Sequence, residues 1–150
     1  MRVIFLDIDG VLNSVLYDRE RDREEGNIDR SRLPLLKRLV EETGAQVVLS
    51  SSWRKHWDRD AALRDGIGSE LERTFRDAGI ALFDKTPVAD SRAEEIALWL
   101  RAHPQVTRYV ILDDAFGGWG ELAPCVVRTN SRIERGLEER HVEEAIGILS

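Results

Sequence analysis

Three short apolar runs frame the chain. Val3-Ile4-Phe5-Leu6 is continuous and rich in strand formers, the pattern of a strand covered on both faces, and it ends abruptly at Asp7. Val47-Val48-Leu49 and Tyr109-Val110-Ile111-Leu112 repeat that pattern, ending in Ser50-Ser51-Ser52 and Asp113-Asp114. Shorter strands are predicted from Ile80 to Phe83 and from Val126 to Thr129. Between the runs the period lengthens. Leu33, Leu36, Leu39 and Val40 form one apolar stripe of a helix that Gly44 stops. Ile96, Leu98, Trp99 and Leu100 mark a second helix, with Ser91 as N-cap and Glu94 completing a capping-box pattern. A last helix is predicted from about Glu138 to Leu149, and the stretch from His56 to Ala78 reads as helical but broken at Gly66 and Gly68.

Strand and helix thus alternate about five times, which predicts an α/β fold with a mainly parallel sheet and helices on both of its faces. No repeat, low-complexity tract or proline-rich linker divides the 150 residues, so one domain over 1–150 is expected. In open sheets of this kind ligands sit at the carboxyl ends of strands, where the strand order reverses. The serine triplet and both acidic pairs lie at such ends.

Composition narrows the class. The chain is 42% hydrophobic and 33% charged, and no apolar run approaches the roughly 20 residues that span a bilayer, so a soluble protein without a membrane partner is expected. Met1 and Arg2 lead directly into the first strand without a small-residue cleavage site, which points to a cytoplasmic location. Cys125, the single cysteine, cannot form an internal disulfide and reads as a small buried hydrophobe in Pro124-Cys125-Val126-Val127. A net charge of −6 argues against broad, sequence-independent nucleic-acid binding but leaves room for local basic patches. Arg19 to Glu25, almost entirely charged and mixed in sign, reads as a solvated loop or the rim of a cleft.

The strongest chemical signal is Asp7-Ile8-Asp9-Gly10-Val11-Leu12 directly after the first strand. Two carboxylates two residues apart can both face a cleft only if the chain leaves extended geometry, and Gly10 supplies that freedom. Like charges this close need a cation, or one must hold a proton. Both outcomes suit phosphoryl transfer; the plainer reading is an acidic strand end capping a turn. Asp113-Asp114 shifts the balance. If its strand lay beside the first, three or four carboxylates would surround one point, and oxygen-only ligands favour magnesium over zinc. No His and Cys occur at zinc-ligand spacing, and His56, His103 and His141 are expected at the surface.

Taken together, Asp7-Ile8-Asp9-Gly10-Val11-Leu12, Val47-Val48-Leu49-Ser50-Ser51-Ser52-Trp53-Arg54 and Val110-Ile111-Leu112-Asp113-Asp114 make the chain resemble a haloacid dehalogenase-like (HAD) phosphatase. The nearest likeness is to the small capless members grouped with nucleic-acid repair proteins. The resemblance implies a Rossmann-like three-layer α/β/α sandwich with a five-stranded sheet, and a magnesium-dependent phosphohydrolase. Asp7 would be the nucleophile, forming an aspartyl-phosphate. Asp9 would be the general acid and base, its main-chain carbonyl helping to bind Mg2+. Asp7, Asp113 and Asp114 would complete the metal set. Ser51, with Ser50 close behind, would hold a phosphate oxygen. The cation steadying the intermediate would be Arg92, 21 residues before Asp113, or its rival Lys85 in Asp84-Lys85-Thr86-Pro87. Arg54 is a further phosphate-binding candidate because its planar fork matches phosphate, and Trp53 beside it reads as a core or rim aromatic with base stacking as the alternative. Trp119, in Gly117-Gly118-Trp119-Gly120, is expected either to wall the pocket or to cover the sheet end.

Such proteins often carry a cap domain after the first motif or after the third strand. Residues 13–28 and the few residues between Phe83 and Ser91 are too short for either, so an open cleft is expected. An open cleft admits a macromolecular phosphate such as a nucleic-acid end or a phosphoprotein; a nucleotide or other small phosphate ester is the alternative. A receiver-like signalling module is disfavoured because its acceptor Asp ends the third strand, which here is expected to end at Phe83-Asp84. A binding scaffold with lapsed catalysis has little support while all four acidic positions are present.

Overall fold

The computed structural model describes residues 1–22 and 24–150. Five strands, β1 (Arg2–Leu6), β2 (Gln46–Leu49), β3 (Leu82–Lys85), β4 (Arg108–Asp113) and β5 (Val126–Arg128), form one parallel sheet in the order β3-β2-β1-β4-β5. The helices are α1 (Val15–Glu20), α2 (Leu33–Thr43), α3 (Gly66–Asp77), α4 (Arg92–Ala102) and α5 (Glu139–Leu149).

Alternation along the strands explains the three layers. Ile4, Leu6, Val47, Leu49, Val110, Leu112 and Val127 face one way and pack with Leu36 and Leu39 of α2, Leu71 and Phe75 of α3, and Val142 and Ala145 of α5. Val3, Phe5, Val48 and Ile111 face the other way, against Ile96 and Trp99 of α4 and against Trp119. Because both faces are covered, the strands read as unbroken apolar runs rather than alternating ones. The sheet is the α/β/α arrangement that the sequence predicts, and among the described residues no large cap stands over it.

The order places the chemistry. From β1 the chain winds outward through β2 to β3, then returns to the other side of β1 with β4 and β5, so β1 lies at the reversal point. Leu6 pairs with Leu112, and the Asp7 N–H continues the ladder onto the Leu112 carbonyl at 3.0 Å. Asp7 and Asp113 are therefore neighbours across adjacent strand ends.

Several local readings need correction. Gly66 and Gly68 do not break a helix but begin one: Asp65 caps α3 by accepting the Gly68 N–H at 2.8 Å. A Cβ at position 68 would meet the His56 carbonyl oxygen at 1.7 Å, so the glycine lets the preceding turn press against α3. The third strand begins two residues later than predicted and ends at Lys85, because Ile80 is buried outside the ladder. Ser91 caps α4 through the Glu94 N–H at 3.1 Å. Arg19 and Glu20 belong to α1 rather than to a loop, and Arg23 of that charged segment lies outside the described residues. His141 is buried, not at the surface: its Nδ1 accepts the Glu138 N–H and caps α5, and burial pushes its pKa down. Cys125 is only partly buried. Among the described residues no helix is long and apolar enough to cross a membrane.

Candidate active site

At the carboxyl end of β1 the chain stops being extended. Gly10 adopts φ +85°, a region costly for any residue with a Cβ, and a Cβ there would lie 2.1 Å from Asp114 Oδ2. The glycine thus both turns the chain and admits a carboxylate from the end of β4. Thr129, just past β5, holds this turn by donating its hydroxyl to the Gly10 carbonyl at 2.7 Å.

Carboxylate oxygens of Asp7, Asp113 and Asp114 converge to within 4.8 Å of one another. Asp7 and Asp113 are buried and Asp114 is half-buried, so water screens their repulsion poorly. One cation is supplied by the protein: Arg92, the first residue of α4, places Nη1 2.9 Å from Asp113 Oδ2 and 3.4 Å from Asp7 Oδ1. Three carboxylates against one guanidinium leave two formal negative charges, the complement of a divalent cation. Every donor in the cluster is a carboxylate oxygen, the ligand chemistry of a hard cation such as magnesium.

The strain of this arrangement appears in protonation. Burial, then the Asp113 charge, pushes the Asp7 pKa up to about 7 against the opposing pull of Arg92 and of the Ile8 N–H, which Asp7 Oδ1 accepts at 2.9 Å. Asp114 is raised as well, by burial first and by Asp113 second. Without a further positive charge, then, Asp7 keeps much of its proton up to about pH 7; a cation at the cluster would favour the ionised carboxylate.

Asp9 is exposed and outside that three-carboxylate cluster, its carboxylate held between two donors: Asn13 Nδ2 at 3.0 Å on Oδ1 and Trp53 Nε1 at 3.0 Å on Oδ2. Asn13 also accepts the Gly10 N–H at 2.9 Å, tying the carboxylate to the turn. The Asn13 signal was available as an Asx side chain three residues past a glycine turn; the Trp53 contact joins residues 44 apart in sequence. The indole also helps to wall a cavity of about 100 Å³ with Ile8, Asn27, Arg30, Ile67 and Glu70. None of the four carboxylates lines that cavity, so the acidic cluster lies beside it rather than in it.

The two serines differ. Ser51 Oγ accepts the Trp53 N–H at 3.1 Å, which uses an acceptor lone pair and leaves its O–H free to donate. Both serines are fully buried, and Ser50 Oγ has no partner among the described residues.

Two of the proposed phosphate cations are not brought to the cluster. Lys85 gives its ammonium to the carbonyls of Trp57 at 2.6 Å and Arg54 at 3.3 Å, beside Asp58 at 3.5 Å. Arg54 is buried, with Nε on the Thr86 carbonyl, Nη1 on the Ser51 carbonyl and Nη2 on Glu95 Oε2 at 2.5 Å. Its fork is engaged inside the protein, bracing the segment after β2 against α4. Trp119 covers the sheet end, buried, with Nε1 on the Ala115 carbonyl. Asp84, the acidic residue on the third strand, accepts the Trp99 indole at 2.9 Å and stands outside the cluster.

A family profile described as the HAD domain in Swiss Army Knife RNA repair proteins matches residues 3–142, nearly the whole chain. Neither a curated protein nor a solved structure matches significantly.

Proposed function

The chain belongs to the family of HAD domains found in Swiss Army Knife RNA repair proteins, and from that premise we propose that it is a magnesium-dependent phosphomonoesterase acting on the phosphorylated end of a nucleic acid. One observation carries the reading: three carboxylates and Arg92 meet at the reversal point of a parallel sheet, with a formal charge of −2 and a nucleophile candidate at its centre.

Asp7, Asp113 and Asp114, with the Asp9 carbonyl, are the residues to hold Mg2+. The ion would supply the counter-charge that this cluster and a phosphate group both need. In the first step an Asp7 oxygen forms a bond to phosphorus while the bond to the leaving oxygen breaks. Asp9, oriented by Trp53 and Asn13, gives that oxygen a proton, and then takes one from the water that cleaves the aspartyl-phosphate. Inorganic phosphate leaves and Asp7 is regenerated. Arg92 lies close enough to Asp7 to meet the charge on a phosphoryl group it carries, and the free O–H of Ser51 is suited to hold a phosphate oxygen. The absence of a large cap, together with the RNA-repair setting of the family, favours a macromolecular end over a small ester.

Phosphate release should be measured from 5′- and 3′-phosphorylated oligonucleotides, mononucleotides and a phosphopeptide, with magnesium and with a chelator. The expected result is release that requires magnesium, fastest from an oligonucleotide. Release that persists in chelator, or none from any substrate, refutes the reading.

A further inference from the structure

The segment that follows the acidic pair is built unevenly. In Ala115-Phe116-Gly117-Gly118-Trp119 one aromatic is taken into the core and the other is put out: Trp119 is 7% exposed and Phe116 86%. Gly117 and Gly118, at φ +81° and +80°, make the reversal that separates them. Lone exposed hydrophobics are ordinary on protein surfaces. Two further facts set Phe116 apart. Its loop is fixed to the carboxylate cluster, because the Ala115 N–H donates to Asp113 Oδ1 at 2.8 Å. It also carries a cation: the exposed Arg128 guanidinium stands 4.7 Å from its ring centroid. Arg128 is itself tied to the cluster, paired with Asp113 across β4 and β5 and donating Nε to the Asp114 carbonyl at 3.4 Å.

An outward aromatic ring beside an arginine is a combination that holds single-stranded nucleic acid: bases stack on the ring whatever their identity, and the guanidinium meets the backbone phosphate. The acidic protein as a whole repels such a chain, so a local cationic aromatic at the rim is where affinity can arise. Resting on the phosphatase reading above, we propose that Phe116 and Arg128 form a stacking shelf for the base of the terminal nucleotide, next to the phosphate that Asp7 attacks. The substrate class is then a single-stranded or frayed nucleic-acid end, recognised without base-sequence preference.

The test is a cycle of kcat/KM values: wild type and Phe116→Ala, each with a phosphorylated oligonucleotide, the same oligonucleotide lacking its terminal base, a phosphopeptide and glycerol phosphate, which has no ring. The expected result is a drop of about tenfold in the ratio of oligonucleotide to glycerol phosphate for Phe116→Ala, the size of one lost base-aromatic stack. The drop should vanish when the terminal base is missing, and Phe116→Trp should keep or raise the ratio. The shelf is refuted if Phe116→Ala lowers all substrates equally, if the base-free end responds as the intact one does, or if wild type prefers the phosphopeptide. In those outcomes glycerol phosphate turnover still supports the phosphatase reading; if wild type releases phosphate from nothing, that reading fails too.

Discussion

Replacing Asp7 should make the metal-free protein more stable. Asp7 is buried beside Asp113 and Asp114, and its pKa is pushed from 3.8 up to about 7. Each pKa unit corresponds to about 1.4 kcal/mol of preference for the protonated form, so ionising Asp7 in the folded protein costs at most about 4 kcal/mol more than in the unfolded chain. Asp7→Asn keeps the shape and the oxygen that accepts the Ile8 N–H but never ionises. Since the new amide must find acceptors among its neighbours, a net gain of about 2 kcal/mol is expected, equivalent to a rise of roughly 4–8 °C in Tm for a chain this long. The sign fixes the pH window. A folded pKa above the unfolded one gives relative stability at low pH that is lost as pH rises through about 4 to 7, so the variant's advantage should be full above pH 7 and should reverse near pH 4, where only the cost of its amide remains. The assay is urea or thermal denaturation from pH 4 to 8 in chelator, repeated with magnesium, which should raise wild type more than the variant. A gap that is absent at pH 8, or that does not change with pH, would refute the picture of an overcharged cluster awaiting a cation.

Two other substitutions probe the surroundings. Arg92→Ala should lower magnesium-dependent kcat by about 100-fold, the usual cost of one electrostatic stabiliser at a reacting centre, whereas Lys85→Ala should act chiefly on Tm by releasing the turn at Arg54 and Trp57; steady-state kinetics and a melt on both variants separate the two cations. Arg54→Ala leaves the buried Glu95 with only the Ala89 N–H and the more distant Arg92, and should cost about 3 kcal/mol in urea unfolding, with Arg54→Met/Glu95→Leu recovering much of the loss.

How far the sequence could be read depended on the range of the interactions involved. Strands covered on both faces announce themselves as Val3-Ile4-Phe5-Leu6 does, and the helices with clear caps, Ser91 and Gly44, fell in place. The edge strand β3 did not: only Leu82 of its four residues is buried, so the apolar Ile80 pulled the predicted strand forward. The glycines of α3 misled because Gly68 answers a packing contact with His56, invisible to propensity. At the site, the acidic residues were legible because each follows an apolar run. The assignments that needed tertiary contact were not: Arg54 meets Glu95 across 41 residues, and Asp9 meets Trp53 across 44. Nor does a glycine-rich loop spell out the exposure that singles out Phe116.

The central claim is that Asp7 carries the phosphoryl group. Acid quenching during turnover of a phosphorylated oligonucleotide with magnesium, followed by mass spectrometry of the peptide containing Asp7, tests it directly. The expected result is a phosphoryl adduct on Asp7 in wild type that is missing in Asp7→Asn and in chelator. Full turnover by Asp7→Asn, or an adduct on another residue, would contradict it.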